Sequence, residues 1–193
     1  MDPDLPLIQA LQAGDDSTLN ELINRHREAL FHFVYRYLRD ETVARDVVQE
    51  TFVRAYFKAG RFKPQALVKT WLYSIALNLA RDEARKFSKR NRQIPLDAVT
   101  ANAAAHELSD AAAGPRAQAD QADDFARLQE AITQLPEKLR DALVLFSLEG
   151  KSQNEAADIL ATSPKTVELR VYHAKQKLRE WLRLGTAEKR MEN

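Results

Sequence analysis

Apolar residues recur along this chain mostly at intervals of three and four, the spacing of one buried face of an α-helix. A first helix is expected from about Ser17, after the turn-forming Gly14-Asp15-Asp16, to about Leu38, with Leu19, Leu22, Leu30, Val34 and Tyr37 on or near one face. A second, Val43 to about Ala59, places Val48, Phe52 and Tyr56 at i, i+4 and i+8, and Gly60 ends it. Arg61 to Lys69, which includes Pro64, reads as irregular. Thr70 is then the expected N-cap of a third helix, which turns Leu72, Ile75, Ala76 and Leu79 inward and continues into a basic tail closed by Pro95.

Residues 96–122 hold eleven alanines, Gly114-Pro115 and few large apolar side chains, the composition of a flexible linker. Helical spacing resumes near Asp123 with Leu128, Ile132 and Leu135. Pro136 suits the first turn of a further helix carrying Leu139, Leu143 and Phe146 and stopping near Gly150. Ser152 with Glu155 forms a capping box ahead of Ala156, Ala157 and Leu160. After a break at Ala161-Thr162, Ser163-Pro164 opens a longer helix with Val167, Val171, Ala174 and Leu178 in one stripe. The expected fold is all-α: two small helical domains, 1–95 and 123–185, joined by a flexible linker at 96–122 and followed by a tail at 186–193. The pair of helices around the break is a helix-turn-helix.

Composition narrows the class. The 193 residues contain no cysteine, which excludes disulfide scaffolds and Cys-ligated zinc. The longest plain apolar run, Ala142 to Phe146, has five residues, against roughly 18 for a membrane span. Met1-Asp2-Pro3-Asp4 does not read as a signal peptide, so a cytoplasmic protein without membrane insertion is expected. A net charge of +1 argues by itself against a nucleic-acid partner. Its distribution argues the reverse: residues 1–57 carry −4, residues 58–92 carry +8 and residues 165–183 carry +4.

The +8 segment also holds Phe62, Trp71, Tyr73 and Phe87, and cations beside aromatics suit single-stranded nucleic acid. Trp71, at a helix start, reads equally as a core anchor. In the last long helix Lys165, Leu169, Tyr172, His173 and Gln176 lie opposite the apolar stripe, where a recognition helix meets the major groove. A solvated face of an ordinary bundle accounts for the same spacing. It also accounts for the polar stripe of Asp46, Gln49, Glu50, Val53 and Arg54. His26, His32, His106 and His173 lack ligand spacing, and no phosphate loop, nucleophile elbow or HExxH is present, so neither an enzyme nor a cofactor is expected.

Taken in order, Asp46-Val47-Val48-Gln49-Glu50-Thr51-Phe52, Trp71-Leu72-Tyr73-Ser74-Ile75-Ala76 with Asn78 and Asp82, Leu135-Pro136 with Arg140, the Ser152/Glu155 helix, and Thr166-Val167 with Arg170 and Ala174 closely resemble the extracytoplasmic-function (ECF) sigma factors, the smallest members of the sigma-70 class. The resemblance implies promoter-specific transcription initiation. Its partners would be core RNA polymerase, through the beta-prime clamp helices and beta flap, promoter DNA and an anti-sigma factor. It implies core docking by Asp46, Gln49, Glu50, Val53 and Arg54. It implies minus-ten contacts from Arg61, Phe62, Lys63, Ala66, Leu67 and Lys69 in a base-capturing loop, and from Asn78, Arg81, Arg85, Lys86, Lys89 and Arg90 on the following helix. Trp71 is then mainly architectural. Minus-thirty-five contacts fall to Lys165, Thr166, Glu168, Leu169, Arg170, Tyr172, His173 and Gln176. Glu168-Leu169 stands where the family tends to have a basic and then a small polar residue. Glu can accept from a cytosine amino group and Leu can touch a thymine methyl.

Two other readings are discriminated by sequence. A sigma mimic that titrates an anti-sigma factor without binding DNA has no need of the +8 segment. A response-regulator activator needs alternating strands and helices, for which the first half has no strand pattern.

Overall fold

The computed structural model describes residues 2–93 and 126–191, with side chains described over 2–89 and 126–183. The expected linker lies outside the described residues. Helices α1 (Leu5–Gln12), α2 (Ser17–Leu38), α3 (Glu41–Lys58) and α4 (Val68–Gln93) form the first bundle, with a 3-10 turn at Ala59–Arg61. Its core brings Leu22, Leu30, Phe33, Val34 and Tyr37 of α2 against Val47, Val48, Phe52 and Ala55 of α3 and Leu72, Tyr73, Ala76 and Ala80 of α4. Phe33 and Tyr73 pack with ring centroids 5.2 Å apart.

In this bundle one helix and two helix starts differ from the sequence expectation. Helix α1 was not expected at all. It seats Ile8 and Leu11 in the core, with Pro6 tolerated because the first turn needs no amide donor there. Helix α3 starts at Glu41 rather than Val43, because Asp40 caps it by accepting from the Val43 amide at 2.9 Å. Helix α4 starts at Val68, and Thr70 is a buried residue inside its first turn rather than its cap. Tyr56 also leaves the expected stripe: eight steps along a helix overshoot two turns by about 80°, and the ring is exposed.

The second bundle comprises α5 (126–134), α6 (Glu137–Leu143), α7 (Gln153–Ile159) and α8 (Pro164–Met191). Helix α6 widens into a π turn at Val144–Leu148. Ile132, Leu135, Leu143, Leu145, Ala157 and Ile159 meet the stripe of Val167, Val171, Ala174 and Leu178 on α8. The turn between α7 and α8 passes through Ala161 at φ 48°, and Ser163 Oγ caps α8 by accepting from the Thr166 amide at 3.1 Å. These are the expected helix-turn-helix elements. Helix α8 runs past residue 185 into the segment read as a tail.

The capping box is formed in full: Ser152 Oγ accepts from the Glu155 amide at 3.2 Å, and Glu155 Oε2 accepts from the Ser152 amide at 2.9 Å. Donation from the Ser152 amide, and from its hydroxyl at 2.8 Å, holds the Glu155 carboxyl below its usual value. The stabilisation these bonds give is therefore present above the ordinary glutamate pKa and is lost as pH falls through the depressed one. Ser152→Ala is expected to cost about 1 kcal/mol, read by denaturant melts at pH 7, with the deficit shrinking in acid.

Candidate nucleic-acid and protein interfaces

Helix α3 buries Val47, Val48, Thr51, Phe52 and Ala55 and thereby turns a second face outward. Asp46, Gln49 and Val53 are exposed on it, while Glu50 and Arg54 are half-buried and paired at 2.7 Å. The five residues expected to dock on a protein are thus adjacent on one surface. Beside them lies a groove of about 930 Å³ between α2 and α3, lined by Leu19, Ile23, Phe31, Phe52, Val53 and Phe57. Phe57 is 78% exposed, its ring meeting that of Tyr56 edge-on at 5.4 Å.

In the loop between α3 and α4, Arg61, Lys63, Ala66 and Leu67 are exposed, as is Lys69 just inside α4. Phe62 turns inward, its ring 4.9 Å from that of Trp71. Trp71 is half-buried in that contact, in keeping with an anchor rather than a stacking platform. On α4, Asn78, Lys86 and Lys89 are exposed, Lys86 pairing with Glu83 at 2.7 Å. The Arg90 side chain lies outside the described residues.

The outer face of α8 presents Leu169 and Tyr172, 49% and 55% exposed, opposite buried Val167 and Val171. Tyr172 meets His173 edge-on and its hydroxyl accepts from Gln176 Nε2 at 2.9 Å, so three of the residues expected to contact the minus-thirty-five element form one ordered patch. Lys165 and Glu168 pair at 2.9 Å, and Thr166 Oγ1 bonds Ser163 Oγ at 2.8 Å. Arg170 is half-buried at the edge of this face.

The chain matches the families described as Sigma-70 region 2 over residues 22–90 and Sigma-70, region 4 over residues 125–178. It is 32% identical over 178 residues to the RNA polymerase sigma-H factor of Pseudomonas aeruginosa, covering 90% of each chain. The chain belongs to the ECF group of sigma-70 factors. It is also 29% identical over 180 residues to the ECF RNA polymerase sigma-E factor of Escherichia coli, covering 90% of this chain and 91% of that one. Among solved structures it resembles CnrH in complex with the cytosolic domain of CnrY, with a TM-score of 0.67, 28% identity and coverage of 95% and 99%.

In this sigma factor region 4 packs directly on region 2, α7 against α4 and the π turn against α2. Asp141, fully buried, accepts from Tyr37 Oη at 2.7 Å and from Arg81 Nε and Nη2 at 3.1 and 2.7 Å. Burial, with the Asp141 charge beside it, pushes the Tyr37 hydroxyl well above the ordinary phenol range, so it remains a donor. Arg140 stacks over the Tyr37 ring at 4.3 Å. Arg85 meets Glu137 through two bonds of 3.0 Å, and Arg36 bonds the Leu148 carbonyl and Glu149 at 2.7 and 2.5 Å. Lys151 sits over the Tyr73 ring at 4.3 Å, its ammonium pKa lowered by burial and by Lys69.

Two of the expected minus-ten residues, Arg81 and Arg85, are therefore engaged by carboxylates of the other domain. Sequence reasoning missed Asp141, although a charged residue three and four positions before Val144 and Leu145 shares their apolar face and so calls for a buried partner.

Proposed function

We propose that the chain is a dissociable specificity subunit: it docks on core RNA polymerase, reads a promoter at two elements and opens the duplex at the minus-ten element. Residues 1–95 serve docking and minus-ten recognition, 96–122 tether, and 123–185 read the minus-thirty-five element as duplex, with the last helix continuing to Met191. The tether lets both elements be held at once, raising avidity through effective concentration. The α3 face of Asp46, Gln49, Glu50, Val53 and Arg54 takes the beta-prime clamp helices, region 4 meets the beta flap, and Lys63, Ala66 and Leu67 surround a flipped base. Asn78, Lys86, Lys89 and Arg90 track the opened strand.

The observation that carries this reading is the patch of Leu169, Tyr172 and His173, exposed apolar and aromatic groups on the outer face of a helix-turn-helix second helix. To read cytosine, Glu168 exchanges Lys165 for the base amino group. Arg81 cannot reach a phosphate while bonded to buried Asp141, so region 4 must leave region 2 before both elements are engaged. Bond-making stays with the polymerase, so the subunit is a recognition protein rather than an enzyme, and it works where the polymerase does, in the cytoplasm. That the relative CnrH was solved in complex with the cytosolic domain of CnrY supports a protein partner for this chain, which we take to be an anti-sigma factor. In vitro transcription with purified core polymerase and a genomic promoter library is expected to give selective initiation. Transcripts no more selective than those from core alone overturn the reading.

A further inference from the structure

The loop at 61–67 joins two helix ends, and each end leaves backbone groups that its own helix cannot satisfy. Both are satisfied from one distant segment. At the entry to the loop, Gln12 Nε2 donates to the Ala59 carbonyl at 2.8 Å and to the Phe62 carbonyl at 3.2 Å. At its exit, Asp2 Oδ2 accepts from the Val68 amide, the first of α4, at 2.7 Å. The segment carrying these side chains is itself fixed. Ile8 is fully buried, and Asp4, 4% exposed, binds His26 Nε2 at 2.8 Å and Arg25 Nη1 at 2.9 Å on α2. Between the two clamped ends the loop is exposed and Leu67 stands out from it. All of this arm precedes residue 22, where the region 2 match begins.

We propose that residues 2–12 are a positioning element for base capture, Asp2 and Gln12 acting as specificity determinants without belonging to the loop. Holding both ends fixes the chord the loop spans, and a short chain with fixed ends has few conformations in which to hold a base. A side chain that caps a helix from a remote segment couples that helix's start to the position of the segment. The inference rests on the reading that this loop captures a base.

The test uses the full chain in holoenzyme with fork-junction DNA whose unpaired minus-ten strand is randomised, the bound fraction being sequenced. In the Asp2→Ala/Gln12→Ala double variant, base preference at the captured position is expected to fall by about tenfold, with core affinity within about twofold of wild type. Asp2→Asn, which keeps an acceptor oxygen for the Val68 amide, restores preference when Gln12 is intact. An unchanged preference profile in the double variant, or a parallel loss of core affinity and all DNA binding, overturns the proposal. Lys63→Ala/Leu67→Ala in the same assay separates the two layers. If that loop variant keeps the wild-type profile, the base-capture reading fails; if it loses the profile while the arm variant keeps it, the arm inference alone fails.

Discussion

Replacing Asp141 by alanine is expected to part the two domains while leaving each folded. The carboxylate is completely buried and accepts three bonds from region 2. Its removal strands the Tyr37 hydroxyl and leaves the Arg81 guanidinium, whose side chain is only 23% exposed, with Asn78 at 3.1 Å and the more distant Glu137 at 3.7 Å. Breaking a buried pair by deleting one partner costs about 3–5 kcal/mol. The cost falls on the interface, because the bonds lost all cross it. Other ion pairs cross the interface, among them Arg85 with Glu137 and Arg36 with Glu149, but these two are more open on the arginine side and contribute less each. Small-angle scattering of the free variant should show a larger radius of gyration, with the helical circular dichroism of wild type and stronger binding to DNA. An unchanged radius of gyration would remove Asp141 from its place as the latch.

Replacing Lys86, Lys89 and Arg90 together by alanine should change how promoter opening responds to salt. Each phosphate contact contributes about 0.7–0.9 to the slope of log affinity against log salt. Three contacts then make wild-type holoenzyme lose about 20- to 40-fold more affinity than the variant between 50 and 200 mM salt. Lys86 and Lys89 are exposed in the closed form, and among the described residues Lys86 pairs with Glu83 on its own helix rather than with region 4. The variant should therefore keep the scattering profile of wild type while its open complexes, counted by permanganate footprinting, become scarce. Equal salt slopes for the two proteins would remove these residues from the strand path.

Elements whose determinants are local were legible in the sequence. The Ser152 and Glu155 box, the Ser163-Pro164 start of α8 and its stripe of Val167, Val171, Ala174 and Leu178 are set by neighbours within a turn or two. Helix α1 was illegible because eight residues are too few to be stable alone and Pro6 reads as a breaker; it exists through Ile8 and Asp4 reaching α2. The start of α4 was misplaced for a related reason: a local rule selects Thr70, whereas the acceptor comes from Asp2, 66 residues away. Surface residues of α3 and α8 followed from the periodicity of their apolar faces. What Arg81 and Arg85 touch did not, since Asp141 and Glu137 lie 60 and 52 positions on and no spacing links them. Composition cannot tell an aromatic that stacks on a base from one that packs on a neighbour, and the Phe62 ring packs on Trp71.

Under the proposed function, the carboxylates of Asp141 and Glu137 occupy the guanidinium groups of Arg81 and Arg85 that would contact the minus-ten strand, which would make region 4 an internal competitor. When only a fraction of molecules is competent, the observed dissociation constant is the intrinsic one divided by that fraction. A closed population exceeding the open by about a hundredfold weakens the minus-ten surface of the free factor about a hundredfold. Chromosomal phosphate, present in vast excess, then captures few copies of the subunit before they meet polymerase. On that proposal the buried aspartate would govern where the protein waits: in solution, at a concentration core enzyme can draw on, rather than spread along the genome.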